Sequence, residues 1–432
     1  MNSIISKLND KRILIFGYGR EGKSTENFIK KHVRYKSLDI FEGSILQIDE
    51  DKYDVIIKSP GIVMLDDNPK YTSQTELFLD EYHAKTIGVT GTKGKSTTSA
   101  MLANVLKGCG VKALLLGNIG KPCFDYIDDI DDDTWIVFEL SCHQLLHINK
   151  APHIAIFLNL FEEHLDYYKT LEKYFYAKSN IISHQSENDF CFVGENVPDI
   201  EHKSEMKIIS SPGRDYELNI LGEHNKINAE FVFEVAKLFY KADDEIILKG
   251  IKEFKGLPHR LEYFAEIDKV RYYDDSISTI PEACINAVKS VENVGSVIVG
   301  GMDRGIDYDI LADFIRDNEN ILFILCYETG LRISKMLGFE YEDNSIYPEE
   351  FGNIMSTTYV GNWEEIEDVS LPNNVMLTVN LDYAVRLAKQ NTKPGMACIL
   401  SPAAPSYGYF KNFEERGEYF KQLVEQKESV SG

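Results

Sequence analysis

Ile87-Gly88-Val89-Thr90-Gly91-Thr92-Lys93-Gly94-Lys95-Ser96-Thr97 is the stretch that decides the fold. An apolar run ends at a Thr-Gly turn, passes through Gly-Lys-Ser and enters a helical pattern over Thr98–Lys107. Glycines let such a backbone curl so that N–H groups face phosphate oxygens, and the helix N-terminus adds a positive dipole. In this arrangement Lys95 reaches the β and γ phosphates of a nucleotide and the Ser96 hydroxyl holds Mg²⁺. Gly91, Thr92, Lys93, Gly94, Lys95, Ser96 and Thr97 are therefore the candidate phosphate-binding residues. The loop is one or two residues shorter than the general G-x-x-x-x-G-K-[ST] form, because Gly91 stands four places before Lys95.

Outward from this loop, short apolar runs recur at Arg12–Phe16, Val55–Ile57, Trp135–Phe138, Ile154–Leu158, Val297–Val299, Ile321–Leu325 and Ala397–Leu400, alternating with helical patterns. Continuous apolar runs of this kind predict buried parallel strands, hence an α/β fold of doubly wound sheets. The acidic stretch Asp125–Asp133 reads as a solvated turn. A chain of 432 residues holds two to four domains. The expected division is 1–85, 86–257 and 258–432, with Gly256-Leu257-Pro258 as a hinge.

The net charge of −23 opposes nonspecific nucleic-acid binding, so an anionic ligand needs local positive groups. Seven scattered cysteines without a C-x-x-C predict reduced thiols, not a disulfide framework or a zinc site. No run is long and apolar enough to span a membrane, and the start lacks a signal-peptide pattern, so a cytoplasmic location is expected.

Two further groups of residues carry chemistry. Gly17-Tyr18-Gly19-Arg20-Glu21-Gly22 also follows a strand and opens a helix, with Asp39 about 20 positions on, at the end of the next strand-like stretch. This is a dinucleotide fingerprint, but the same backbone nest can hold other anions, such as a UDP diphosphate. Downstream of the phosphate loop come Glu139-Leu140-Ser141-Cys142-His143, Asn159–Asp166 with His164, and Lys178. Ligands of open parallel sheets sit at the carboxyl ends of strands, which places Glu139 and His164 on the edge that carries the phosphate loop. A carboxylate there suits Mg²⁺, and a histidine can supply a second metal position. Singly, each would pass as a solvated loop residue. Their joint order behind a phosphate loop is what marks them.

These motifs resemble the Mur ligases of peptidoglycan synthesis. The resemblance rests on Thr90–Thr97, Gly117-Asn118-Ile119-Gly120, Glu139–Leu145, Asn159–Asp166, Leu221-Gly222-Glu223-His224-Asn225 with Asn228, and Gly256-Leu257-Pro258-His259-Arg260. Leu400–Ser406 and Phe410–Gly417 add a specific C-terminal match, so the likeness runs over essentially the whole chain. It implies three domains: an N-terminal Rossmann-like UDP-sugar domain, a central ATPase domain with a mostly parallel sheet, and a C-terminal Rossmann-like domain for the amino acid. It implies ATP-dependent ligation of D-glutamate to UDP-N-acetylmuramoyl-L-alanine through an acyl phosphate; the protein is expected to be a monomer and, from its charge, to have no nucleic-acid partner.

By the same resemblance, Ser96 and Glu139 match ligands of one Mg²⁺ and His164 a ligand of a second. Lys178 matches a carbamylated, metal-organising lysine. Asn225, Arg260 and Asp275 match ATP contacts. Gly17, Gly19, Arg20, Gly22, Asp39, Ser59, Pro60, Gly61, Asn118 and Ser141 become UDP-sugar contacts. Thr279, Arg304, Ser406 and Phe413 become amino-acid contacts.

The chain departs from the family pattern in the amino-acid pocket. Ile277 and Ile280 stand where a lysine and an asparagine are usual, and Arg304 stands where a lysine faces the substrate carboxylate. Arginine binds a carboxylate as a fork and is not equivalent to lysine. Because both glutamate enantiomers carry two carboxylates, the same chemistry with L-glutamate is the alternative. An NAD-linked oxidoreductase and a non-catalytic nucleotide-binding module are the other classes. Retention of Lys95, Glu139, His164 and Lys178 argues against both.

Overall fold

In the computed structural model, each of the apolar runs forms a strand. The structure describes residues 1–63, 68–117, 122–163, 165–239, 243–339 and 374–426. By contact the chain divides into two units, Met1–Phe254 and Lys255–Gly432.

The first unit holds two sheets. One consists of β1 (Arg12–Phe16), β2 (Ser37–Phe41), β3 (Val55–Lys58) and β4 (Tyr71–Ser73), in the order β2-β1-β3-β4 and all parallel. It is accompanied by α1 (Asn2–Leu8), α2 (Arg20–His32) and α3 (Gln74–Tyr82). The other contains β5 (Thr86–Thr90), β6 (Ala113–Gly117), β7 (Trp135–Glu139), β8 (Ile154–Phe157), β9 (Phe190–Gly194) and β10 (Glu205–Ile209). Its order is β10-β9-β8-β5-β7-β6, again parallel throughout. Its helices are α4 (Lys95–Gly108), α5 (Cys142–Leu145), α6 (Leu165–Tyr168), α7 (Leu171–Ser183), α8 (His224–Ala236) and α9 (Asp244–Glu253). Strand β5 is flanked by β7 and β8 and is buried along its length, which is why it reads as an unbroken apolar run.

The second unit has one six-stranded sheet. Its strands are β11 (Glu262–Ile267), β12 (Val270–Asp274), β13 (Val294–Gly300), β14 (Leu322–Cys326), β15 (Val375–Thr378) and β16 (Ala397–Leu400). The order is β11-β12-β16-β13-β14-β15, with β11 antiparallel on one edge. Around it lie α10 (Pro281–Ser290), α11 (Asp309–Asp317), α12 (Tyr327–Met336), α13 (Leu381–Asn391) and α14 (Phe413–Glu425). Apolar clusters fill the space on both sides of β13 and β14: Val297 and Val299 join one, Ile298 and Ile324 the other. The fold class is α/β, as expected.

Two readings are corrected. Cys123–Asp129 forms a 3₁₀ helix, so the acidic stretch is not simply a turn; Phe124 and Ile127 anchor it in the core. Asp39 lies in the middle of β2, level with Leu14, not at the end of a strand. None of the seven cysteines is in a disulfide, and all are buried. Among the described residues no helix is long and apolar enough to cross a membrane.

Gly300 closes β13 at φ +138°, and a Cβ there would overlap the Cys326 carbonyl. Gly300→Ala should therefore cost about 2–3 kcal/mol, lowering the thermal midpoint of the transition by about 5–10 °C. Gly108→Ala, in a helix with nothing within 4 Å of the added carbon, should leave it unchanged or slightly higher.

Candidate functional site

The parallel register sets Val89 of β5 level with Glu139 of β7 on one side and Ile156 of β8 on the other. The chain leaves all three strands at the same edge, and the phosphate loop connects β5 to α4 there. Gly94 is the N-cap of α4 and adopts the left-handed conformation, φ +85°. A Cβ at this position would come within 2.9 Å of Asn228 Oδ1. Only glycine both takes that backbone geometry without strain and admits α8 so closely. Asn228 Nδ2 in turn donates to Asn225 Oδ1 at 2.9 Å, and Asn225 Nδ2 to the Leu221 carbonyl at 2.6 Å. The predicted Asn225 is thereby brought to the loop through Asn228, a residue to which the sequence reading gave no role.

Ser96 Oγ donates to Glu139 Oε1 at 3.0 Å, and Glu139 is buried. A hydroxyl and a carboxylate paired beside a phosphate loop form the oxygen donor set that Mg²⁺ prefers, so these residues fit the ion. Lys95 Nζ curls back to donate to the carbonyls of Gly91 at 2.9 Å and Thr92 at 3.0 Å. Burial pushes its pKa down, against the pull of Glu139 and Glu163. Lys178, on α7, is almost wholly buried and also donates to the Gly91 carbonyl, at 2.8 Å. Its ammonium lies 4.8 Å from the centre of the Tyr174 ring. Burial, reinforced by repulsion from Lys95, lowers the Lys178 pKa to about 7. The uncharged, nucleophilic form of this amine is thereby more accessible than in a solvent-exposed lysine. Lys95, Ser96, Glu139 and Lys178 thus lie together around the phosphate loop. His164 and Asn118 lie outside the described residues.

At the first glycine loop, Ser59 Oγ donates to the Gly17 carbonyl at 3.0 Å, joining two of the predicted UDP-sugar segments. Gly19 caps α2, Arg20 and Gly22 lie in its first turn, and Pro60 and Gly61 follow in the turn after β3. Ser141 caps α5 and exchanges hydrogen bonds with Gln144, whose Nε2 donates to Glu21 Oε1 at 3.0 Å. This links the first loop to the segment that follows Glu139. Asp39 stands apart from the loop, in mid-strand.

In the second unit, Asp275 accepts from Ser401 Oγ at 2.8 Å and from the Leu261 amide at 3.1 Å, next to Arg260. Burial raises the Asp275 pKa to about 6. Arg304 Nη2 donates to the Thr279 carbonyl at 3.0 Å, so these two predicted amino-acid contacts are together. Ser406 is buried in the loop after β16, and the Phe413 carbonyl accepts from Ser276 Oγ at 2.8 Å. Arg416 was missed by the sequence reading. It is fully buried and holds Ser276 through Nε to Oγ at 3.0 Å and Nη2 to the carbonyl at 2.8 Å. The pattern Phe-x-x-Arg just inside a helix was the available signal, but a charged helical residue reads as surface by default. His259, Glu262 and Asp274 bring ligand-type atoms within 4.8 Å of one another. Lys421 Nζ stands 2.8 Å from Glu262 and 3.7 Å from Asp274, so an ammonium already offsets part of their charge.

A phosphate loop whose serine pairs with a strand-end carboxylate, on the central strand of a parallel sheet, defines a P-loop nucleotide-handling protein. The family description "Mur ligase middle domain" matches residues 89–198. The UDP-N-acetylmuramoylalanine–D-glutamate ligase of Acetivibrio thermocellus is 30% identical, over 98% of this chain and 98% of that protein. The protein of the same name from Oenococcus oeni is 28% identical over 98% of each. Among solved structures, the MurF ligase of Thermotoga maritima in complex with ADP shares the fold, with a TM-score of 0.55 at 14% identity over 97% of this chain and 95% of that one. The chain belongs to the Mur ligase family.

Proposed function

We propose that this protein is an ATP-dependent amide-forming ligase that adds D-glutamate to UDP-N-acetylmuramoyl-L-alanine in peptidoglycan precursor synthesis. Similarity over the full length to ligases of that name supports the substrates. The observation that carries the chemistry is the meeting of Lys95, Ser96, Glu139 and Lys178 around one phosphate loop.

The alanyl carboxylate of the UDP substrate attacks the γ-phosphorus of ATP; ADP leaves and an acyl phosphate forms. The glutamate amine then attacks the activated carbonyl, losing a proton, and inorganic phosphate departs from the tetrahedral intermediate. A free carboxylate acylates poorly, so phosphorylation supplies the leaving group. The protein's part in the first step is in-line positioning and charge neutralisation. Lys95 sits where it can move from the loop carbonyls onto the β and γ phosphates. Ser96 and Glu139 would hold one Mg²⁺, with His164 a ligand of a second that Lys178 helps organise, and the bound ions would offset charge on the transferring phosphoryl group. Lys178 serves there as a carbamate, formed when its neutral amine adds CO₂ and releases a proton. Its lowered pKa supports this reading.

By the same family likeness Arg260 and Asp275 are assigned to the nucleotide, and Gly17–Gly22 with Ser59–Gly61 to the UDP moiety. The domain division at 85/86 and 257/258 remains our reading of the chain. For the amino acid, Thr279, Arg304, Ser406 and Phe413 form the pocket. One bond to Thr279 leaves Arg304 with other N–H donors for a carboxylate.

The test is phosphate release from Mg-ATP with UDP-N-acetylmuramoyl-L-alanine, adding D- or L-glutamate in separate reactions. D-Glutamate should stimulate release at least tenfold and L-glutamate should not. Stimulation by the L-enantiomer alone would overturn the assignment of the acceptor while leaving the ligase chemistry standing.

A further inference from the structure

Asn159 makes contacts with the phosphate loop that the ligase chemistry above does not use. Its side chain meets one loop residue twice: the Lys93 amide donates to Asn159 Oδ1 at 2.9 Å, and Asn159 Nδ2 donates to the Lys93 carbonyl at 3.1 Å. The Asn159 carbonyl also accepts from the Thr92 amide at 3.0 Å. Thr92 Oγ1 bonds the next part of the same segment, accepting from the Phe161 amide at 2.9 Å. The segment is itself fixed, because the Asn196 side chain meets the Leu160 amide at 3.4 Å and the Leu160 carbonyl at 2.9 Å. A loop that bends at Thr92 and Lys93 and turns left-handed at Gly94 has no helix or sheet to hold it. Here a carboxamide takes the place of a neighbouring strand.

We propose that Asn159 is a positioning residue for the nucleotide: its carboxamide clamps Lys93 so that the amides of Gly94 and the first turn of α4 are aimed before the phosphates arrive. Two physical effects follow. Ordering the loop in advance removes a conformational cost from binding. Holding the Lys93 carbonyl to an N–H donor also keeps that partial negative charge bonded beside a polyanion site. Asn159 touches neither the UDP sugar nor glutamate in this scheme, so its loss should be read in nucleotide binding.

This inference rests on the ligase reading, and the experiment separates the two. Full-length wild type, Asn159→Ala and Asn159→Asp are titrated with Mg-ADP by calorimetry and assayed for phosphate release. Asn159→Ala should weaken ADP binding and raise KM for ATP about tenfold, the effect of one to two net hydrogen bonds. KM for glutamate and for the UDP substrate should stay within about twofold, whereas a general structural defect would move all three. Asn159→Asp is nearly isosteric and keeps the acceptor for the Lys93 amide, so it folds if the alanine variant does not. It loses the donor and adds a negative charge, and should bind ADP more weakly than wild type by more than tenfold. Wild-type ADP affinity in Asn159→Asp would overturn the clamp. Failure of the wild type to release phosphate with any glutamate would count against the ligase reading, and the ADP titration would still decide the clamp.

Discussion

Lys178→Ala should lower ligation at least a hundredfold, and acetate or propionate should restore a measurable part of it. The first half follows from position: the side chain is buried beside the phosphate loop, on the carbonyl that Lys95 also uses. Two ammonium groups on one carbonyl repel each other, which is part of why the Lys178 pKa falls to about 7. Conversion to a carbamate replaces one cation with an anion and turns that repulsion into attraction. The second half separates this role from packing. Truncating a buried lysine also leaves a cavity against Tyr174, and a cavity alone could reduce activity. A small carboxylate that enters the cavity supplies the missing anion. Rescue by ethylamine, with none by carboxylates, would show instead that the ammonium is the working form.

Glu139→Gln should reduce kcat about a thousandfold, a loss of about 4 kcal/mol in transition-state stabilisation. The amide preserves size and can still accept from Ser96, so the strand end and loop should keep their geometry. What disappears is the negative charge at the position proposed for the metal. The Mg²⁺ concentration for half-maximal activity should rise together with the fall in kcat. Glu162→Gln, at an exposed carboxylate of the following loop, should behave as wild type. A Glu139→Gln enzyme within tenfold of wild type would remove this carboxylate from the mechanism.

The strands readable from sequence were those buried on both faces. β5, β7 and β8 are near-continuous apolar runs because neighbours cover them on each side and helices cover their faces. Edge and half-exposed strands were missed. β10 carries Glu205 and Lys207 at the sheet margin, and β2, which exposes Asp39 and Ile40, was read only as a stretch ending at Asp39. The β11–β12 hairpin is half-exposed on β11 and turns through left-handed Asp268 and Lys269, without the glycine that usually announces such a turn.

The order of the candidate site was legible for one reason: parallel strands end at one edge, so residues just after several apolar runs must gather there. That rule placed Ser96 and Glu139 together; Lys178, in the middle of a helix, was marked by the family likeness. Contact partners were a different matter. Nothing in the spacing of Lys93 and Asn159 says that a side-chain amide will bond both backbone groups of one loop residue. Nor does it say that Asn228 will rest against Gly94, that Lys95 and Lys178 will share the Gly91 carbonyl, or that Arg416 will be buried under Ser276.

By itself, then, the sequence determined the α/β class, the phosphate loop and the set of chemically able residues, because apolar periodicity and glycine placement are local properties of the chain. Only the tertiary structure decided which of those groups touch, how far burial moves the lysines from their ordinary pKa, and what holds the loop in shape. Those depend on side chains far apart in sequence meeting across the sheet edge, where close packing fixes distances and the exclusion of water sets the charges.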